Sequence, residues 1–263
     1  MLILLPPSEG KYAPSRGGSL ALPSLSFPTL ARPRAEMLDA LIALCTPRDP
    51  ASVDRAVDVL GVGRTLTAEV TRNAGLAAAP TARADRIYSG ILYEALDLPS
   101  LEPAARRRAT RWVVIASALF GLVGPADRIP AYRLSGGVSL PGIGTVSSFW
   151  SRHLDGAVRS AAGRGLVVDL RSSTYASFWR PSSDLARRVV TLRVLHEVDG
   201  RRKVVSHFNK ATKGRLVRAL LEDGGNPGTP ARFADHVTAL GWKAEVGEPG
   251  PHGTPLDVIV SDL

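Results

Sequence analysis

The chain has 263 residues, of which 33 are Lys or Arg and 24 are Asp or Glu, so its formal net charge is +9 and its isoelectric point is near 10.3. This balance favours an anionic partner, nucleic acid above all. Hydrophobic residues make up 44% of the chain and charged residues 22%, which excludes an intrinsically disordered protein. We expect one compact domain over residues 1–263.

The cysteine and histidine content excludes several kinds of site. Cys45 is the single cysteine, so neither an intramolecular disulfide nor a cysteine-based zinc cage can form. The five histidines are scattered, and neither a Walker loop nor a dinucleotide fingerprint is present. We therefore predict no metal and no cofactor. Pro6 ends the first apolar run after four residues and no later run is long enough to span a bilayer, which predicts a cytoplasmic protein without a membrane partner.

The N-terminal half begins with a predicted buried strand, Leu2 to Leu5, followed by a loop that ends at Lys11. Residues 12–34 are rich in proline and serine, which predicts an extended connection. Apolar spacing predicts helices over residues 34–44 and 52–60, and another helix after Gly63.

Gly61 and Gly63 lie between two predicted helices, a pattern typical of a helix-hairpin-helix over residues 52–74. In that motif glycines let the backbone approach a DNA phosphate, and Arg64 at the start of the second helix would add a contact. The alternative is an ordinary turn with glycine at the end of a helix. Spacing alone leaves both interpretations open.

The second half of the chain supplies more strands and helices. We predict a helix over residues 88–98, and Asp199-Gly200 suits a tight turn between two paired strands. The predicted fold class is α/β, a mixed sheet with surrounding helices. The predicted strands cover residues 112–117, 166–170, 189–197, 203–208 and 256–260, and the later helices residues 211–221 and 230–240.

The segment from Arg201 to Arg218, called the basic segment below, contains seven basic residues and no acidic one. Lys210 and Lys213 fall where a helix is predicted to open, and the first backbone N–H groups of a helix favour anions. The segment is therefore expected to face a polyanion. The alternative is a solvated helix face, which most charge runs are.

Three side chains could carry chemistry. Glu9 and Lys11 lie with a serine on the loop after the first strand, where a lysine beside a carboxylate can be activated for Schiff-base or proton-transfer work. Asp169 ends an apolar strand and needs a partner such as Arg171 or a ligand. The alternatives are a surface turn at Lys11 and structural pairing at Asp169.

Five blocks of the sequence belong together in order: residues 1–11, 88–90, 119–121, 130–134 and 206–215. Taken together, they resemble the YaaA family of peroxide stress response proteins. The resemblance implies an α/β fold with a helix-hairpin-helix, a basic cleft that binds DNA, and a role in limiting oxidative damage to DNA. Where this chain reads Pro-Pro-Ser-Glu-Gly-Lys, the better-known branch has a loop like Ser-Pro-Ala-Lys, which makes Glu9 a candidate for a branch-specific catalytic group. The resemblance implies six cleft residues, with Arg215 in the last block beside them: Lys11, Tyr132, Arg133, Lys210, Lys213 and Gly214.

Three functions follow as hypotheses. The first is a cofactor-free protein that binds duplex or distorted DNA through its phosphates. The second is a glycosylase- or lyase-type enzyme on nucleic acid or nucleotides, with Lys11 as nucleophile or base and Glu9 or Asp169 as its acid-base partner. The third is an enzyme that holds an anionic small molecule in the same cleft.

Overall fold

A mostly parallel sheet forms the centre of the computed structural model, which describes residues 1–47, 49–198, 201–203 and 206–261. Within these residues the strand order is β7-β8-β5-β4-β1-β2-β3, and β6 pairs with β5. The pairs β1–β2, β1–β4, β4–β5 and β5–β8 are parallel, and the others are antiparallel. The strands are β1 (Leu2–Leu5), β2 (Val113–Ser117), β3 (Gly121–Val123), β4 (Val167–Asp169), β5 (Val189–Val198), β6 (Arg201–Lys203), β7 (Lys243–Val246) and β8 (Thr254–Val260).

Helices and short 3-10 turns surround this sheet, and the predicted α/β fold class is confirmed. Two small ribbons, residues 82–83 with 128–129 and 139–140 with 144–145, lie outside the main sheet. No helix in the described part of the chain is long and apolar enough to cross a membrane. The helices are α1 (Ala31–Cys45), α2 (Pro50–Leu60), α3 (Thr67–Ala74), α4 (Ala84–Ile87), α5 (Ile91–Leu96), α6 (Pro103–Trp112), α7 (Val146–Ser151), α8 (Asp155–Ala162), α9 (Ser173–Ala176), α10 (Ser183–Ala186), α11 (Ser206–Asp223) and α12 (Pro230–Ala239).

Strands β1, β2 and β4 are buried along their whole length because both faces of the sheet are covered, and they are apolar except for Ser117 and Asp169 at their ends. Every residue of β1, β2 and β4 is buried. Continuous burial explains why these strands appear in the sequence as unbroken apolar runs rather than as alternating patterns. The predicted bounds of these three strands agree with the observed ones to within one residue at each end.

The carboxyl ends of β1 and β4 are where this type of fold is expected to carry a ligand site. The chain leaves β1 toward β2 on one side, whereas it leaves the neighbouring strand β4 toward β5 on the other side. Such a reversal is a topological switch point, and ligands of open α/β sheets bind in the crevice that it creates at the carboxyl ends of the strands. Lys11, Ser117 and Asp169 all follow or end strands at this edge.

The strand predicted at residues 203–208 pairs with β5 as expected, but its bounds are wrong. Residues 206–208 belong to α11, and β6 pairs with β5 only over Arg201–Lys203. Two valines and Phe208 give this stretch a high strand propensity, but the described pairing ends at Lys203. The predicted Asp199-Gly200 turn lies outside the described residues. Because α11 begins at Ser206, Lys210 and Lys213 lie inside the helix rather than at its first backbone N–H groups.

The predicted hairpin at residues 52–74 consists of α2, a turn and α3 with a 3-10 helix before it. Gly61 has a φ of 62° and donates its backbone N–H to the last turn of α2, as glycine commonly does at the end of a helix. Gly63 has an extended conformation that other residues also adopt. The identification of this element as a helix-hairpin-helix stays a prediction.

Candidate functional site

The loop after β1 places the Lys11 amine over the aromatic rings of two tyrosines. The Lys11 ammonium lies 4.3 Å from the centre of the Tyr132 ring and 5.7 Å from that of Tyr88. Its Nζ donates to the backbone oxygens of Ser8, at 2.8 Å, and Glu9, at 3.4 Å. An ammonium over aromatic faces is stabilised by the negative face of each ring. The lysine is therefore held in place by backbone carbonyls and π faces.

Hydroxyl groups below Lys11 form a buried chain. The hydroxyls of Tyr88 and Tyr132 lie 3.1 Å apart, and that of Tyr132 lies 2.8 Å from the Ser117 Oγ at the end of β2. The Tyr93 ring stacks on Tyr88 with centres 5.5 Å apart, and its hydroxyl donates to the Pro6 carbonyl. We call Lys11, Tyr88, Tyr93, Tyr132 and Ser117 the lysine–tyrosine cluster.

Burial shifts the proton equilibria of the cluster in two directions. It raises the pKa of the Tyr88, Tyr93 and Tyr132 phenols, so these hydroxyls stay protonated. Burial lowers the pKa of Lys11 to about 8, an effect that Glu9 partly opposes and Arg133 reinforces. At pH 7 about one Lys11 side chain in ten then carries a neutral amine, against about one in three thousand for an ordinary lysine. A neutral amine is the nucleophilic form.

Beside the cluster, Glu9 and Arg133 line an open cleft of about 400 Å³ together with the Gly61 turn. The Arg133 guanidinium lies 3.2 Å from the Glu9 carboxylate. The Glu9 side chain is 56% exposed, and such exposed ion pairs contribute less than about 1 kcal/mol. An incoming anion could therefore replace Glu9 at Arg133. The structure thus places three predicted residues, from distant parts of the chain, around one cleft.

Asp169 forms a buried ion pair rather than a contact with Lys11. Its carboxylate accepts two side-chain hydrogen bonds from Arg171, at 2.9 and 2.7 Å. Arg171 also donates to the carbonyls of Tyr175 and Trp179, so its guanidinium holds the loop after β4. The charged neighbours of Lys11 are Glu9, Arg133 and Glu69. The geometry thus favours the structural alternative for Asp169.

Several cations of the basic segment already form ion pairs or hydrogen bonds with other groups of the protein. Arg202 makes a bidentate pair with Glu245, and Arg218 pairs with Glu222 and donates to the carbonyl of Leu96. Lys213 donates to the Leu170 carbonyl at the end of β4, and burial lowers its pKa. The segment therefore presents fewer free charges than its sequence implies.

The remaining predicted residues of α11 differ in position. Lys210 and Arg215 are exposed and form no ion pair within the described part of the chain. Gly214 is buried where α11 crosses α5, and a Cβ there would lie 2.3 Å from the Leu92 carbonyl oxygen. Its role in the structure is close helix packing. Arg64 begins a 3-10 helix, and its side chain lies outside the described atoms.

Sequence reasoning missed most of the lysine–tyrosine cluster. Only Lys11 and Tyr132 are predicted site residues, and Tyr88, Tyr93 and Ser117 are not. A usable signal exists, since Tyr88 begins one of the five blocks and Ser117 ends a predicted strand. Tyr175 is a further buried tyrosine whose phenol interacts electrostatically with Tyr132. Among the described residues, no group of three or more His, Cys, Asp or Glu side chains could hold a metal ion.

The fold and this edge define an α/β protein with a polar cleft at the switch point of a mostly parallel sheet. Sequence comparison gives the family. The profile described as peroxide stress protein YaaA matches residues 1–242, and the chain belongs to this family.

Curated relatives agree with this assignment. A UPF0246 protein of Streptomyces coelicolor is 46% identical over the whole of both chains. A UPF0246 protein of Corynebacterium efficiens is 43% identical over 94% of this chain and 96% of its own. A third, from Corynebacterium glutamicum, is 42% identical over 84% of each chain. The predicted family resemblance is thereby confirmed.

Proposed function

We propose that this protein binds DNA through its phosphate backbone as part of the response to peroxide stress. The observation that carries the proposal is the shared cleft of Arg133 and Gly61. The family resemblance implies Arg133 as a cleft residue, and the hairpin spacing predicts Gly61 as a phosphate contact. A guanidinium and a glycine turn suit phosphate because one supplies charge and the other lets the backbone approach closely.

Two exposed cations on α11 are further candidate phosphate contacts. Lys210 and Arg215 have no carboxylate partner in the described part of the chain, so binding DNA would not require them to leave an ion pair. The net charge of +9 supplies long-range attraction to a polyanion. The proposed contacts are to phosphates, and we therefore expect little dependence on base sequence.

The direct test is an anisotropy titration of a labelled duplex over a range of salt concentrations. Each phosphate contact adds about 0.9 to the slope of log K against log salt, so replacing both Lys210 and Arg215 by alanine should reduce the slope by about 2. The matched control is Arg202→Ala, which also removes a cation from the basic segment but one already paired with Glu245.

The control should change the slope by less than about 0.5, because its guanidinium is not free to release a counterion. Equal slopes for the wild type and the double variant would contradict the α11 contacts, and Arg133→Gln tests the cleft in the same way. If neither the double variant nor Arg133→Gln changes the affinity, the proposed DNA surface is wrong.

Survival of a deletion strain under peroxide, complemented by the wild type or by the double variant, tests the link to the stress response.

A further inference from the structure

Among the lysines of the described chain, Lys11 alone has its amine over aromatic rings. Its amine lies against two aromatic faces at the carboxyl end of β1, next to the cleft that Glu9 and Arg133 line. Exposed Lys243 instead forms an ion pair with Glu197 at 2.9 Å. No described carboxylate lies within ion-pair distance of the Lys11 amine. DNA binding through phosphates does not require an amine in such a setting.

We propose that Lys11 forms a Schiff base with the aldehyde of an abasic site in DNA. The substrate class rests on the proposed function. Within DNA, intact nucleotides offer no aldehyde, whereas an abasic deoxyribose opens to expose one at C1. Arg133, beside Lys11, would hold a neighbouring phosphate.

The chemistry balances without an oxidant or a reductant. The neutral Lys11 amine attacks the aldehyde carbon, and a C–N bond forms. The former carbonyl oxygen takes one proton from the attacking nitrogen and one from solvent, the C–O bond breaks, and water leaves. The resulting iminium carries the positive charge. That cation would lie over the Tyr132 ring, where the ammonium lies 4.3 Å from the ring centre. The protonated phenols nearby add no negative charge that could compete for it.

The test is reductive trapping of the full-length protein on a duplex with one abasic site, in the presence of cyanoborohydride. Mass spectrometry of the wild-type adduct should locate the modification on Lys11. Lys11→Arg keeps the positive charge but cannot form the imine, and should lower the trapped yield by about tenfold or more. The matched control is Lys243→Arg, which removes an exposed amine and should trap as the wild type does.

Anisotropy on the intact duplex runs in parallel, so that loss of DNA binding is distinguished from loss of chemistry. If the abasic duplex binds but gives no adduct, or gives one spread over several lysines, the Schiff-base proposal is overturned while DNA binding stands. Labelling of Lys11 by glyoxylate but not by abasic DNA overturns the DNA substrate class. Mapping on the wild type does not depend on the folding of any variant.

Discussion

The basic segment and the lysine–tyrosine cluster both bring a lysine to the carboxyl ends of the central strands, but the two lysines have different surroundings. In the basic segment, charge is abundant and much of it is engaged with Glu245, Glu222 and backbone carbonyls. In the cluster a single amine lies over aromatic rings, and burial lowers its pKa so that a larger fraction of it is neutral. A count of basic residues thus identifies the first region and overlooks the second.

The largest expected effect comes from Asp169, which ends β4 and is a charged neighbour of Lys213 in the basic segment. Asp169→Asn leaves the buried Arg171 guanidinium without its counter-charge, and we expect a loss of about 3 kcal/mol in the free energy of unfolding. Urea denaturation measures it. Asp257→Asn is the control because Asp257 pairs with an exposed arginine, and it should cost less than about 1 kcal/mol. Equal losses would show that the burial of the first pair has no energetic consequence.

The next effect tests the contact between α11 of the basic segment and α5 of the lysine–tyrosine cluster. Gly214→Ala inserts a Cβ against the backbone of α5, which carries Tyr93, and should destabilise the protein by about 2 kcal/mol. Thermal unfolding measures this change. Gly156→Ala makes the same substitution in α8, where no atom lies within 4 Å, and should be neutral or slightly stabilising. A harmless Gly214→Ala would show that α5 and α11 pack less tightly than described.

The pH dependence of stability tests the burial of Lys11. Since its pKa in the folded protein is lowered to about 8, the unfolded chain binds more protons between pH 8 and the ordinary lysine pKa near 10.5. Stability from this group therefore increases as pH rises through that window. Between pH 8 and 10 the wild type should gain about 2 kcal/mol relative to Lys11→Met. Parallel stability curves for the two proteins would refute the lowered pKa.

The smallest effect concerns Glu9, which pairs with Arg133 and also raises the pKa of Lys11. Glu9→Gln frees Arg133 for phosphate and should strengthen DNA binding about threefold at low salt, a gain that disappears at high salt. The same change removes the charge that raises the pKa of Lys11, so this pKa should fall below 8. Anisotropy measures the first effect. Weaker DNA binding by Glu9→Gln would mean that Glu9 contributes to the DNA surface instead of competing with it.

The sequence is a good guide to local features of this molecule and a poor guide to distant ones. Unbroken apolar runs locate β1, β2 and β4 because both faces of these strands are buried. The pairing of Asp169 with Arg171 is also foreseeable, since only Leu170 lies between them in the sequence. The strand predicted at residues 203–208 has the wrong bounds because strand propensity does not show where the pairing stops.

The candidate site depends on contacts across the chain. Lys11, Tyr88 and Tyr132 meet only after folding, and nothing in their local sequence predicts one cluster. Whether a cation is free or paired is equally hidden, since the partner of Arg202 lies 43 residues away. Family resemblance supplies the blocks that converge here, but it does not assign Gly214 to helix packing.

The most direct test of the contrast between the two regions is an NMR titration of the lysine side chains in protein with ¹³C-labelled lysine. The ¹³Cε resonance of Lys11, assigned by its disappearance in Lys11→Arg, should change with a midpoint near pH 8. A midpoint near 10.5 would show that the amine is solvated like an ordinary lysine, and would contradict the reactive role given to the lysine–tyrosine cluster.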